Sequence, residues 1–207
     1  MCFVVGYQLL EEPLTATPVA SGGVSVAAYI MVSMAMYGAM MSATQTGASV
    51  AAERAQGWTR QLRLTPLNPV VNVAVKTIAG MMFGLVAIVA TYVVAMFSGV
   101  ELSASQWIVS GLAAWLLAGA VFTTLGLMVG YMVPGENVAQ ITSLVVVLLS
   151  FLGGLFFPLS NMPDFLQVIG KLTPVYGIGE LARSPLTGDA FDLVALINAV
   201  IWLAVFV

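Results

Sequence analysis

Long uncharged apolar runs alternate along the chain with short connections that hold nearly all of its charge. The runs cover 24–50, 77–100, 107–133, 138–157 and 193–207. A bilayer core about 30 Å thick is crossed by roughly 20 apolar residues in a helix, and only a helix or a closed barrel satisfies the backbone there. Period-2 alternation is absent, and most of the runs far exceed the roughly 10-residue strands of outer-membrane barrels. The pattern therefore predicts an all-α membrane protein, a polytopic helical bundle with about five spans.

Orientation follows from the connections. Segment 51–76 carries Arg54, Arg60, Arg63 and Lys76, four of the six basic residues, which places it on the cytoplasmic side. Alternation then puts 98–106, which has no Lys or Arg, outside, makes 134–137 a tight cytoplasmic turn, and leaves 158–192 as a long outer segment. Lys171 and Arg183 in that segment conflict mildly with the charge rule, although Asp164, Glu180, Asp189 and Asp192 accompany them.

Composition narrows the function classes. With 60% hydrophobic and 7% charged residues, against roughly 25% charged in a soluble domain, the chain has no basic stripe for nucleic acid. It contains no His and a single Cys, Cys2, so zinc constellations, His-dependent triads and an internal disulfide are excluded. Residues 1–10 are apolar but lack the basic start and small-residue cleavage site of a signal peptide. They read as the outer end of a preceding helix, and the chain is expected to be truncated or alternatively started at its N-terminus. With no fixed-period repeat or low-complexity linker, residues 1–207 are treated as one domain.

Two connections carry more than topology. In 51–64 good helix formers surround Glu53 and Arg54, with Trp58 and Leu62 four apart, and Pro66 and Pro69 are expected to end the helix. Such a helix lies along the membrane surface with Trp58 at the interface; an ordinary basic loop that only sets topology is the competing reading. Within 151–183, Gly153, Gly154, Pro158, Pro163 and Pro174 break helix, while amphipathic 165–172 suits an interface. A plain extracellular loop is the alternative there.

These two segments resemble those of the ABC-2 type (type V fold) transporter permeases, a family of bacterial drug, lipid and polysaccharide exporters. In that family an E-R-x-x-G segment forms the cytoplasmic coupling helix seated on the ATPase subunit. It is matched here by Glu53, Arg54 and Gly57, followed by Trp58, Arg60 and the Leu64-x-Pro66 continuation, with Lys76 at the start of the next span. Similarly, 151–183 resembles the family's outer re-entrant segment, matched at Gly153, Gly154, Pro158, Pro163, Pro174 and the acidic Glu180. The resemblance implies a six-span fold of which the five spans here are the second to sixth. It also implies a cytoplasmic-membrane location, a partner ATPase that binds ATP and magnesium, and a second permease, identical or homologous. No cofactor is expected in this chain itself. Glu53 and Arg54 would supply charges for partner recognition, and Gly57 a place for close approach.

Other features read more simply as packing. Gly80-x-x-x-Gly84 and Gly126-x-x-x-Gly130 permit close helix approach, within the chain or at a subunit interface. Met31, Met34, Met36, Met40 and Met41 are core filler or the lining of a greasy path. Asn198 suits an interhelical hydrogen bond. The chain has no phosphate-binding G-x-x-x-x-G-K-[ST] loop, so nucleotide hydrolysis falls to a partner. A secondary transporter would carry ionisable groups near the midplane, and the five runs have none. That alternative and a non-transporting scaffold or immunity protein stay open beside the ATP-driven permease. An intramembrane enzyme lacks positioned acid and base groups.

Overall fold

The computed structural model describes residues 26–56, 69–97, 102–133, 135, 137–157, 159, 162–187 and 192–206. Among these the structure is helical, with no strand. In chain order the helices are α1 (Val26–Ala48), α2 (Val50–Ala55), α3 (Pro69–Phe97), α4 (Ala104–Ala113), α5 (Gly119–Met132), α6 (Val138–Leu152), α7 (Asp164–Leu172), α8 (Pro174–Thr187) and α9 (Leu193–Phe206). A π-helical turn, Ala114–Ala118, joins α4 to α5. Among the described residues two helices are long and apolar enough to cross a membrane: Val73–Phe97 and the continuous Ala104–Met132.

Helix α1 is the hub, packed against α3, α5, α6 and α8. Its buried positions Met31, Val32, Ala35, Met36, Ala39, Met40 and Ala43 follow the three-and-four spacing of a helix face. Met31, Met36 and Met40 are fully buried while Met34 is about one-third exposed, so most of the Met cluster fills the core. Ala35, Ala39, Ala43 and Gly47 recur every fourth residue and let neighbours come close. A Cβ on Gly47 would lie 2.2 Å from the Thr123 carbonyl oxygen, and one on Gly126 2.1 Å from the Thr44 carbonyl oxygen. The backbones of α1 and α5 thus touch directly. Gly80 meets Thr123, Gly84 meets Ala39, and Gly130 meets Ala48 and Val50, so both small-residue motifs serve packing within the chain.

Several boundaries differ from the sequence reading, each for a local reason. Helix α3 starts at Pro69 rather than 77, because proline suits the first helical position, where its missing N–H has no helical acceptor in any case. Pro69 therefore opens a helix, and Lys76 sits two turns inside it. At 29 residues α3 is about 43 Å long, more than the hydrocarbon thickness. Helix α4 starts at Ala104 because Ser103 and Gln106 form a reciprocal capping box. Helix α6 stops at Leu152, where Gly154 takes the left-handed conformation at φ 74°. At 15 residues it falls short of the roughly 20 that a full crossing needs.

Helices α3, α4 and α9 each leave a large apolar face uncovered. On α3 it includes Ile78, Met82, Phe83, Val86, Val89 and Val93. A soluble protein rarely exposes so contiguous an apolar surface, whereas lipid is a good solvent for it.

Candidate functional site

The sequence-derived site residues gather at two ends of the bundle. Tyr29 and Ser49 mark those ends on α1, 20 positions apart, which in a helix is about 30 Å.

At the Ser49 end, α2 continues α1 after a turn at Ser49, whose hydroxyl donates to the Thr46 carbonyl at 2.7 Å. Glu53 is in the first turn of α2 and pairs with Lys76 of α3. The Lys76 ammonium also donates to Ser49 Oγ at 3.0 Å, so one cation clamps the α1–α2 junction. Arg54 turns the other way. Its Nη1 donates to the Tyr131 carbonyl at 2.6 Å and to the Gly130 carbonyl at 3.4 Å, and its guanidinium lies 5.5 Å from the Tyr131 ring centroid. Those carbonyls belong to the last turn of α5, where no following helical N–H is available and the helix dipole favours a cation. Gln45 adds bonds from α1 to α6, at 3.2 Å to the Ala139 carbonyl and 2.9 Å to Ser143 Oγ. An open cavity of about 580 Å³ lies beneath, lined by Ala51, Arg54, Ala55, Tyr131, Met132, Val133 and Gly135.

Glu53 and Arg54 are thus brought together on one short helix, each tied to a different neighbour. Helix α2 runs to Ala55, and the remainder of the predicted stretch, 57–64, lies outside the described residues. Gly57, Trp58 and Arg60 lie outside the described residues.

At the Tyr29 end, Gly153 and Gly154 are buried. A Cβ on Gly153 would lie 2.5 Å from Val175 Cβ, and the Gly154 carbonyl accepts the Tyr29 hydroxyl at 2.9 Å. Pro163 caps α7, its carbonyl accepting from the Leu166 and Gln167 amides. Pro174 opens α8 after Thr173, whose hydroxyl accepts the Tyr176 amide at 3.4 Å. The segment beyond Gly154 is therefore two short helices set by prolines, as 151–183 suggests; Pro158 lies outside the described residues. Phe165, Val168, Ile169 and Leu172 form an exposed apolar stripe on α7. The α7 C-terminus is held by α9: Asn198 Nδ2 donates to the Lys171 carbonyl at 3.2 Å and Trp202 Nε1 to the Leu172 carbonyl at 2.8 Å. Asn198 is thereby an interhelical hydrogen bonder.

Glu180 reaches Arg183 one turn on, at 3.5 Å. Arg183 is not a loop charge but is buried, 4.9 Å over the Tyr29 ring, with Nη1 unpartnered. Burial raises the Tyr176 hydroxyl pKa, with Glu180 and Asp192 adding to the rise and Arg183 opposing it, so Tyr176 is neutral at physiological pH.

Sequence reasoning missed the alanine and glycine ridge of α1 and the π turn. The four-residue repeat of small residues was a legible signal for the first; nothing marks the second. Its neighbourhood is anchored by Trp115, whose indole N–H donates to the Met81 carbonyl at 2.8 Å. Among the described residues no three His, Cys, Asp or Glu side chains cluster as metal ligands.

Among the described residues, an all-helical bundle with two membrane-length helices, uncovered apolar faces and its ion pairs at its ends is the arrangement of a helical membrane protein. Comparison with known sequences places it further: the chain belongs to the ABC-2 family of transporter proteins, whose family model matches residues 8–207. It is also 32% identical over 166 residues to a protein of Bacillus subtilis (strain 168) named "Putative transport permease YvfS", covering 79% of this chain and 67% of that one. No solved structure matches the chain. A transport permease is thus the class to which sequence and fold assign it.

Proposed function

We propose that this chain is the membrane-spanning subunit of an ATP-driven exporter in the cytoplasmic membrane, powered by a separate ATPase subunit. Residues 1–207 act as one permease domain with five crossings, those of α6 and α9 made by helices shorter than a full-length span, paired with a second permease, identical or homologous. The ATPase binds ATP and magnesium; this chain supplies the path and the element through which the ATPase pushes. That element is the segment containing Glu53, Arg54, Gly57, Trp58 and Arg60. The carrying observation is that α2 is tied through Glu53 and Arg54 to both membrane-length helices. It lies at the opposite end of α1 from the glycine and proline segment containing Gly153, Gly154, Pro158, Pro163, Pro174 and Glu180. Opposite ends suit opposite membrane faces, with α2 inside and α7 and α8 outside. The apolar stripe of α7 then rests in the outer interface.

A photo-crosslinking residue at Trp58 tests both orientation and partner. In membranes containing the ATPase, irradiation is expected to join the permease to the ATPase subunit. Capture of lipid alone, with the ATPase present, would contradict the assignment.

A further inference from the structure

We propose that Glu53 and Arg54 are positioning residues that bolt the coupling segment to the two membrane-length helices, rather than charges offered to the ATPase. This rests on the reading of the segment beginning at α2 as the coupling element, and it changes what the two charges do there.

Both charged groups are already engaged inside the chain. The Glu53 carboxylate meets the Lys76 ammonium, with side chains 32% and 16% exposed, and Ser49 Oγ is the ammonium's second partner. Taking one charge from a partly buried pair leaves the other uncompensated, which costs more than the pair contributes. The pair therefore resists opening toward a partner. Arg54 caps carbonyls that α5 cannot satisfy itself, both through Nη1, and its stacking on the Tyr131 ring holds the guanidinium in place. Exposed on α2 and its C-cap are Ala52, Ala55 and Gln56 together with Arg54; Arg54 is committed to the α5 carbonyls, and the other three are small or uncharged positions suited to close packing of a partner. A displacement of α2 toward or away from the membrane is then carried by Glu53 to α3 and by Arg54 to the end of the 104–132 helix. Without the two ties α2 could pivot on the Ser49 turn and the motion would be lost.

The geometry makes a specific demand: the Glu53–Lys76 contact should work with its charges exchanged, because it needs only opposite signs across α2 and α3. In the permease assembled with its ATPase, Glu53→Lys and Lys76→Glu are each expected to lower permease-dependent ATP hydrolysis by about tenfold or more. The ATPase should still copurify with each. The double variant Glu53→Lys/Lys76→Glu should recover most of the parental rate. Arg54→Gln should likewise retain the ATPase and lose stimulation. Thermal unfolding of the same four-member Glu53–Lys76 set in detergent reads the contact without any ATPase, and positive coupling between the substitutions is expected. Loss of the ATPase from Glu53→Lys, or a double variant as inactive as the singles, would overturn the proposal, as would additive thermal effects. If the parental permease retained no ATPase, the reading of the coupling segment would fall, while the thermal cycle would still decide whether the tie exists.

Discussion

Gly126→Ala is expected to lower the unfolding temperature of the purified permease markedly, and Gly126→Leu to prevent recovery of folded protein. A Cβ at Gly126 would lie 2.1 Å from the Thr44 carbonyl oxygen, 2.9 Å from its carbon and 3.0 Å from the Ala48 nitrogen. All three are backbone atoms, so no rotamer change relieves the clash and α1 must move away from α5. Overpacking of this kind costs about 1–3 kcal/mol even where a core can relax, and Gly47 presses on α5 from the other side. Gly84→Ala is the matched control. Its Cβ would sit 3.5 Å from Ala39 Cβ, an ordinary contact, and alanine is favoured over glycine in a helix by about 1 kcal/mol. Size-exclusion profiles and thermal unfolding in detergent should therefore separate two substitutions that look alike in the sequence. Equal behaviour would mean that the α1–α5 crossing is looser than described.

The second large effect is an asymmetry in the Glu180–Arg183 pair. Arg183 is the buried partner, its side chain 8% exposed against 43% for Glu180. Glu180→Ala strands a cation among Tyr29 and α8, and is expected to cost about 2 kcal/mol, below the 3–5 typical of a fully buried pair because water reaches the carboxylate. Arg183→Met removes the buried charge itself, with its unpartnered Nη1, and leaves a carboxylate that can turn to solvent. Its cost is expected to stay within about 1 kcal/mol. Unfolding temperatures ranked the other way would show that Arg183 is held by partners other than Glu180.

How far the sequence could be read depended on whether the determinant was local. The apolar runs located the helices, since burial in lipid needs only hydrophobicity and length. Their ends were less accurate because they depend on chemistry at single residues: Pro69 as an opener, the Ser103–Gln106 cap, the left-handed Gly154. The Gly126-x-x-x-Gly130 motif was visible, but its partner surface, Thr44, Gly47 and Ala48 at the end of α1, lies about eighty residues earlier in the chain, and periodicity cannot pair two distant faces. The same limit hid the ion pair. Glu53 and Lys76 were both singled out, yet that they meet follows only from α3 beginning at Pro69 and packing along α1 up to its junction with α2. The burial of Arg183 was illegible for a related reason: a charge in a polar, proline-rich stretch looks like a loop charge until α1 packs Tyr29 over it. The π turn has no residue pattern of its own.

That the chain transmits work from an ATPase through the segment following α1 is tested most directly at Gly57, a position without a side chain in the proposed coupling segment, where a bulky substitution is expected to obstruct close approach of a partner. The whole permease would be co-reconstituted with its ATPase in proteoliposomes, and permease-dependent ATP hydrolysis measured for the parental protein and for Gly57→Trp. The account predicts equal membrane insertion and a loss of stimulated hydrolysis of about tenfold or more in the variant. Parental stimulation in Gly57→Trp would contradict it and return the segment to a basic loop that does no more than set topology.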